Sequence, residues 1–502
     1  MVDAAALAAS PNAPSLEAGA RRSAALRVAL AVGVGAWLLG AAWSLMTPVM
    51  GAYDENQHFI KAVSVWHGQL RGTSVEIPGQ SDDALPQRVD VVRVPEDDAS
   101  LQQVHGCFVG RGQTPDCAPA ASGDHDRSAR AGTAAGPYPP LYYALVGWPS
   151  RLVSAPLDLY LMRLVSAAWS AAFVALALSA LRRMTSSAVA VTATAVAMVP
   201  MVWFLAGVVN PNGLEISAAL AMWATWMLWA DDLARGTPSP RWLVAGAVVS
   251  AVVLGNCRSL GPGLVFLVAA TTWLARRPSI RAWRSALRVL VPVGVGTSLG
   301  ALWVIGEGHL DAIRGTKTAS GGPIVWELLR MVPEWVMQTF ADVGWGEIRV
   351  RPVAALCLAA MVVFVLLARR HGARREATLA LALLGAVVVA PVALQLPSAG
   401  SGGVAWQGRY LLAALVGVPV LCGAAFGRTE AGRDVSLACW WHRAGIVAAV
   451  GWLGTLAVAG AHYRAGPFGN GNWSPPLGMI GVLVVAAAGT GLLLGSARAE
   501  QM

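Results

Sequence analysis

Tyr53-Asp54-Glu55-Asn56-Gln57-His58-Phe59 begins five residues after a long apolar stretch, Leu26 to Pro48. Paired carboxylates and an imidazole at a membrane surface are rare, and such groups are usually functional. Asp54 can act as a general base if it stays ionised beside an acceptor hydroxyl. If a helix starts here, His58 lies four residues on and shares a face with Asp54. That spacing suits a carboxylate–imidazole pair, or two ligands of a divalent cation. Asp54 and Glu55 are also what a helix start favours, a capping residue and an acidic first turn. No glycine-rich phosphate loop and no zinc-type cysteine spacing accompanies them. A divalent cation is therefore optional, and no metal ligands are assigned.

A second group could hold an anion. Arg409, in Gln407-Gly408-Arg409-Tyr410, offers the planar fork that binds phosphate through paired hydrogen bonds. The other reading is an arginine reaching to lipid headgroups. Arg258, Arg349 and Arg351 are further cations of this kind. Tyr138-Pro139-Pro140-Leu141-Tyr142-Tyr143 starts a helix after its prolines and sets Tyr142 and Tyr143 at an interface, as substrate contacts or anchors. Asn210-Pro211-Asn212-Gly213 is a tight turn, with Glu215 in the first turn of the apolar helix behind it.

The elements that position these residues follow from hydropathy. Of 502 residues, 56% are hydrophobic and 13% charged, against about 25% charged in soluble domains. The net charge of +9 is spread over short arginine clusters between apolar stretches, which points away from nucleic acid. Twelve stretches are long enough to be read as spans: 26–48, 159–181, 187–208, 212–230, 241–256, 260–275, 286–305, 352–368, 376–395, 408–426, 444–461 and 477–496. The pair 241–256 and 260–275 reads either as two tight spans or as one span plus a re-entrant segment. If 138–155 does not cross, Arg182 and Arg183, Arg235 and Arg241, Arg276 to Arg284, Arg369 to Arg375, and Arg428 to Arg443 all face the cytoplasm, as the positive-inside rule expects. The motif-like loops then share the opposite face.

The expected architecture is an all-α polytopic bundle of about 12 spans in the bacterial plasma membrane. Residues 1–22 are expected as a disordered cytoplasmic N-terminus and 497–502 as a cytoplasmic tail. Residues 23–496 form one transmembrane domain. Within it, 49–158 is an extracytoplasmic loop of membrane-surface helices with a mobile stretch near Ala118 to Ala135. From Gly51 to Pro137 that loop holds 12 Asp/Glu against 7 Lys/Arg, so it is acidic in a basic chain. Cys107 and Cys117 are placed for a disulfide outside the cytoplasm, with two free thiols as the alternative. Cys257, Cys357, Cys422 and Cys439 read as packing residues.

On these motifs the chain resembles the bacterial membrane proteins grouped as domain of unknown function 2142, related in architecture to GT-C glycosyltransferases. The likeness rests on Asp54-Glu55 with His58-Phe59, Pro139-Pro140-Leu141-Tyr142-Tyr143, Arg163, Asn210-Pro211 with Gly213, Gly344-Trp345, Gln407-Gly408-Arg409-Tyr410, and Trp473 with Pro475-Pro476. It spans roughly 26–496. The sequence departs from it at Tyr53, Asn212 and Gly346-Glu347. The resemblance implies a GT-C-like fold and transfer of a sugar from a polyprenyl-phosphate donor to an envelope glycan or lipid acceptor at the extracytoplasmic face. Asp54, with Glu55 and His58, would form the catalytic group. Arg409, Gln407, Tyr142, Tyr143, Arg258 and Asn210 would bind substrate. The alternatives are a transporter or flippase, or a non-catalytic scaffold, for lipid-linked envelope glycans.

Overall fold

The computed structural model describes residues 13–77, 87–278, 283–308, 324–397, 399, 404–429, 436–466 and 471–498. Its helices are α1 (Ala13–Met46), α2 (Glu55–Trp66), α3 (Glu96–Leu101), α4 (Leu141–Val146), α5 (Leu157–Leu181), α6 (Ser187–Ala197), α7 (Pro200–Ala206), α8 (Pro211–Arg235), α9 (Arg241–Cys257), α10 (Gly261–Arg276) and α11 (Trp283–Gly306). Further helices cover Ile324–Ala341, Arg351–Arg370, Arg374–Gln395, Leu412–Leu415, Gly417–Phe426, Ser436–Ala465 and Gly478–Gly495. A helix satisfies every backbone group within its own segment, which is what a bilayer interior demands of a spanning element.

Each of the twelve expected apolar stretches is helical, but among the described residues eight helices are long and apolar enough to cross a membrane, or nine counting one bent pair. That pair is α6 and α7, which meet at 74° where a single span was expected. Pro200 starts α7 and holds Val199 in an extended conformation, so the helix cannot run through. Residues 138–155 hold only α4 and a short 3-10 turn and are too short to cross. Helix α8 is buried along nearly its whole length although it carries Asn212, Glu215 and Asp231.

Those polar groups mark its two ends. Arg258, between α9 and α10, donates to Asn212 Oδ1 at 2.7 Å at the first turn of α8. Arg276, at the end of α10, pairs with Asp231 at 3.0 Å near the last turn and with Glu376 at 2.7 Å. Helix α10 therefore runs from one end of α8 to the other, and α9 with α10 forms two separate helices. Arg428 joins Asp231 at the same end. Arg281 and Arg433, expected on that side, lie outside the described residues, as does the side chain of Cys439.

Three expectations need correction. The chain is helical from Ala13, inside the stretch expected to be disordered; residues 1–12 and 499–502 lie outside the described residues. The large loop is not built from surface helices alone. Thr73–Ile77 (β1), Gln87–Pro95 (β2) and Ser128–Thr133 (β3) form an antiparallel sheet in the order β1-β2-β3. The valine-rich run Val89 to Val94 suits a half-buried strand, and it pairs with β3 inside the stretch expected to be mobile. Helix Ile324–Ala341, with Pro333 inside it, was not anticipated at all. Cys107 and Cys117 form the disulfide.

One buried ion pair joins the loop to the bundle. Arg163 of α5 donates Nε to Glu55 Oε1 at 2.7 Å and Nη2 to Glu55 Oε2 at 2.5 Å. Its remaining donors reach the carbonyls of Ser44, Thr47 and Pro48 at 3.0, 2.7 and 2.7 Å. These carbonyls lie at or just past the C-terminal end of α1, where helical partners run out. Glu55 Oε1 also accepts the Val209 N–H at 3.0 Å. All five guanidinium N–H donors are thus engaged, and both side chains are 0% exposed. Glu55→Ala leaves Arg163 uncompensated and is expected to lose about 3–5 kcal/mol. Asp54→Asn keeps an oxygen that can accept from Arg409, and its side chain is 40% exposed, so it is expected to lose less, about 1–3 kcal/mol. Thermal unfolding in detergent compares the two.

Candidate functional site

Two left-handed residues, Met50 (φ 55) and Asp54 (φ 57), reverse the chain between α1 and α2. Aspartate tolerates this conformation better than most side chains. Asp54 precedes α2 but makes no capping hydrogen bond with its side chain. Its Oδ2 instead accepts Arg409 Nη2 at 2.6 Å. The carboxylate is 40% exposed and the guanidinium 3%. Residues 355 positions apart therefore share one ion pair.

Arg409 sits in a 3-10 turn, Gly408–Leu411. That turn packs on Ile324–Ala341 so closely that a Cβ at Gly408 would collide with the Trp335 carbonyl. Thr339 Oγ1 donates to the Gly408 carbonyl at 3.1 Å, and the Gly408 N–H reaches Gln338 Oε1 at 3.1 Å. The guanidinium of Arg409 lies 4.3 Å from the Tyr53 ring and 5.6 Å from that of Tyr410. Arg258 lies 4.4 Å from the same Tyr410 ring and 5.8 Å from Tyr138. Two arginines therefore share an aromatic cradle, with ring faces lowering the cost of keeping them charged. Arg258 is further held by Asn212 and by Glu215 at 3.4 Å. The Nε atoms of both arginines, and Gln407 Oε1, are buried without hydrogen-bond partners.

The other expected site residues have different places. Glu55, expected beside Asp54 in the catalytic group, is sealed against Arg163, and both side chains are 0% exposed. His58 is buried, and its Nδ1 meets the Tyr143 hydroxyl at 2.9 Å while Asp54 turns to Arg409, so the expected Asp54–His58 pair gives way to two separate pairs. Burial, reinforced by Arg258 and Arg409, holds the His58 imidazole well below its ordinary 6.5 and keeps it neutral. Tyr142 and Tyr143 are fully buried, with the Tyr142 hydroxyl on Ser166 at 3.2 Å. Neither side chain is exposed to solvent. Asn210 is buried too; it caps α8 through the Asn212 N–H at 3.0 Å and donates to the Tyr53 carbonyl at 2.9 Å.

Sequence reasoning missed an acidic flank. Asp342 and Arg349 pair in a short hairpin, Asp342–Val343 with Ile348–Arg349. The turn brings Gly346 so near Tyr53 that a Cβ there would strike the phenol oxygen. The Tyr53 N–H donates to the Gly344 carbonyl at 3.1 Å, and its hydroxyl reaches Asp342 Oδ2 at 3.5 Å. Trp345 Nε1 donates to the Met50 carbonyl at 2.9 Å. Burial pushes the Asp342 carboxyl up to about 6 and the Glu347 carboxyl up to about 7. Glu347 lines a 340 Å³ cavity with Phe108, Gln113, His462 and Tyr463. Its only sequence signal is its place beside the Gly344-Trp345 motif.

A family model described as "Predicted membrane protein (DUF2142)" matches residues 37–418. No curated protein matches the sequence. The fold is similar to the crystal structure of ArnT from Cupriavidus metallidurans bound to undecaprenyl phosphate, at 15% identity and a TM-score of 0.43, covering 94% of this chain and 76% of that one. It is also similar to the same protein in its apo state, at 17% identity and a TM-score of 0.36, covering 72% and 65%.

The raised pKa of Glu347 gives a signed expectation. Its folded-state value, about 7, lies above the ordinary 4.5. The ionised form is disfavoured in the fold, so stability is lost as pH climbs from about 4.5 through about 7. Against wild type, Glu347→Gln should gain in Tm between pH 5 and pH 8. A Tm difference independent of pH would assign Glu347 an ordinary pKa.

Proposed function

We propose that this chain, which belongs to the DUF2142 family of predicted membrane proteins, is a membrane glycosyltransferase that takes its sugar from a polyprenyl-phosphate donor at the extracytoplasmic face. The observation that carries the reading is the partly exposed Asp54 carboxylate held against Arg409, with Arg258 sharing the Tyr410 ring. A base and a pair of phosphate-binding forks are what displacement of a lipid phosphate by a hydroxyl requires. Assignment of the face rests on the arginine-rich opposite end of the bundle, where Arg276 and Arg428 lie.

In the resting site, Arg409 and Asp54 neutralise each other. An arriving phosphate competes for the Arg409 fork, whose Nε has no other partner, and so releases the Asp54 carboxylate. Asp54 then takes the proton of the acceptor hydroxyl. The acceptor oxygen bonds to the anomeric carbon from the face opposite the phosphate, and the bond from that carbon to the phosphate oxygen breaks. Its electron pair leaves with the polyprenyl phosphate, whose added charge Arg409 and Arg258 balance. The anomeric configuration inverts. Gln407 Oε1, buried and unpartnered, is an acceptor for a sugar hydroxyl. Glu55, His58, Tyr142, Tyr143 and Asn210 hold this arrangement and take no part in the bond changes. Nothing in these steps requires a divalent cation.

The test is complementation of a gene-deletion strain, with polyprenyl-phosphate sugars and envelope glycans quantified by mass spectrometry. Deletion should make the donor accumulate. Asp54→Asn should restore folded protein but slow transfer by about 10²–10⁴-fold, the usual contribution of a placed base. Arg409→Lys, which keeps the charge and loses the fork, should also fail to clear the donor. Wild-type clearance by Asp54→Asn would remove the enzymatic reading and favour a scaffold or a flippase.

A further inference from the structure

A second cluster of titratable groups lies in the large loop and shares no residue with the site above. Asp97 and Asp98 stand in the first turn of α3, and Asp158 in the first turn of α5. His125 comes from the segment before β3. His125 Nδ1 lies 3.1 and 3.0 Å from the two Asp97 oxygens, and Asp97 Oδ2 also accepts the Ala155 N–H at 2.9 Å. Potential ligand atoms of Asp97, Asp98 and His125 all fall within 4.8 Å of one another. Asp158 faces Asp98.

The cluster is buried and short of positive charge. Asp97 is 5% exposed, and Asp98 and Asp158 are 0%. Among the described residues, no lysine or arginine forms an ion pair with any of the three. Both oxygens of Asp98, and Oδ2 of Asp158, are buried without a hydrogen-bond donor. Burial of an unpaired carboxylate is strongly unfavourable unless it is neutralised or coordinates a metal. Asp98, with both oxygens idle between Asp97, His125 and Asp158, thus leaves a place for a counter-ion.

We propose that Asp97, Asp98 and His125 form a binding site for one divalent metal ion in the large loop, next to Asp158 at the start of α5. Carboxylates alone would suit Ca²⁺ or Mg²⁺; the imidazole in the set favours Zn²⁺ or Mn²⁺. His125 is the entry point, since its side chain is 29% exposed and lines a 380 Å³ cavity in the loop. The ion would act on structure. It would fix α3, whose following residue Gln102 accepts the Asn56 amide of α2 at 3.2 Å. The competing way to neutralise the site is a single proton shared by Asp98 and Asp158.

The experiment uses the full chain purified in detergent, stripped with EDTA and dialysed against ZnCl₂ or MnCl₂. Bound metal is counted by mass spectrometry, and thermal unfolding is followed with and without it. Roughly one ion per chain and a rise in Tm are expected, because a ligand that binds only the folded state stabilises it. Both effects should disappear in Asp98→Asn and in His125→Ala. The second variant alters a partly exposed side chain and keeps the test valid if the first does not fold. With Mn²⁺, nitrogen coupling in the electron paramagnetic resonance spectrum should be present in wild type and absent in His125→Ala. No uptake by wild type, or uptake unchanged in His125→Ala, overturns the site and leaves the shared proton.

Discussion

Arg163 and Glu55 form the constraint on which the candidate site depends. A guanidinium with all five donors engaged fixes the end of α1, the start of α2 and the segment before α8 at one point. Buried ion pairs add little net stability compared with apolar packing, but they are strongly directional. With Glu55 anchored inward, the chain before it must reverse over a few residues, and Asp54 takes the left-handed conformation. Neighbouring acids in the chain are thereby sent to different tasks: one holds the junction and the other reaches the open side.

The open side is built from arginine and tyrosine together. Arg409 lies against Tyr53 and Tyr410, and Arg258 against Tyr410 and Tyr138. Each guanidinium combines ring contacts with one carboxylate, Asp54 for Arg409 and Glu215 for Arg258, and the Nε of each is left without a hydrogen-bond partner. Around this pair burial shifts other titratable groups towards their neutral forms. His58 is held uncharged by burial and by the same two arginines. Asp342 and Glu347 are pushed towards the neutral form by burial. At the resting site Asp54 is paired with Arg409, and the neighbouring Arg258 with Glu215.

The two ends of the bundle divide the chemistry. Arg276, Arg428, Asp231 and Glu376 form an ion network at one end. Asp54, Arg409, Arg258, Asn212 and the Gly344–Glu347 turn occupy the other, together with the sheet-bearing loop and its disulfide. Helix α8 links them, with a polar group near each end and an apolar middle.

Hydropathy was enough to locate all twelve helical stretches, because an apolar run of that length has few other ways to satisfy its backbone in lipid. Residue type was enough to single out Asp54 and Arg409, since charge beside an apolar run is costly enough to need a reason. The break between α6 and α7 was legible at Pro200 and was overlooked. Partnership was not legible. Whether Glu55 or Asp54 faced inward, whether His58 met Asp54 or Tyr143, and which side chain met the Tyr142 hydroxyl each depended on residues more than twenty positions away. The same holds for Asp342 with Tyr53, and for Asp98 with Asp158. Local sequence carries the cost of burying a charge, but the partner that offsets it is chosen by packing in three dimensions, and only the tertiary structure decides which carboxylate is closed and which is left open.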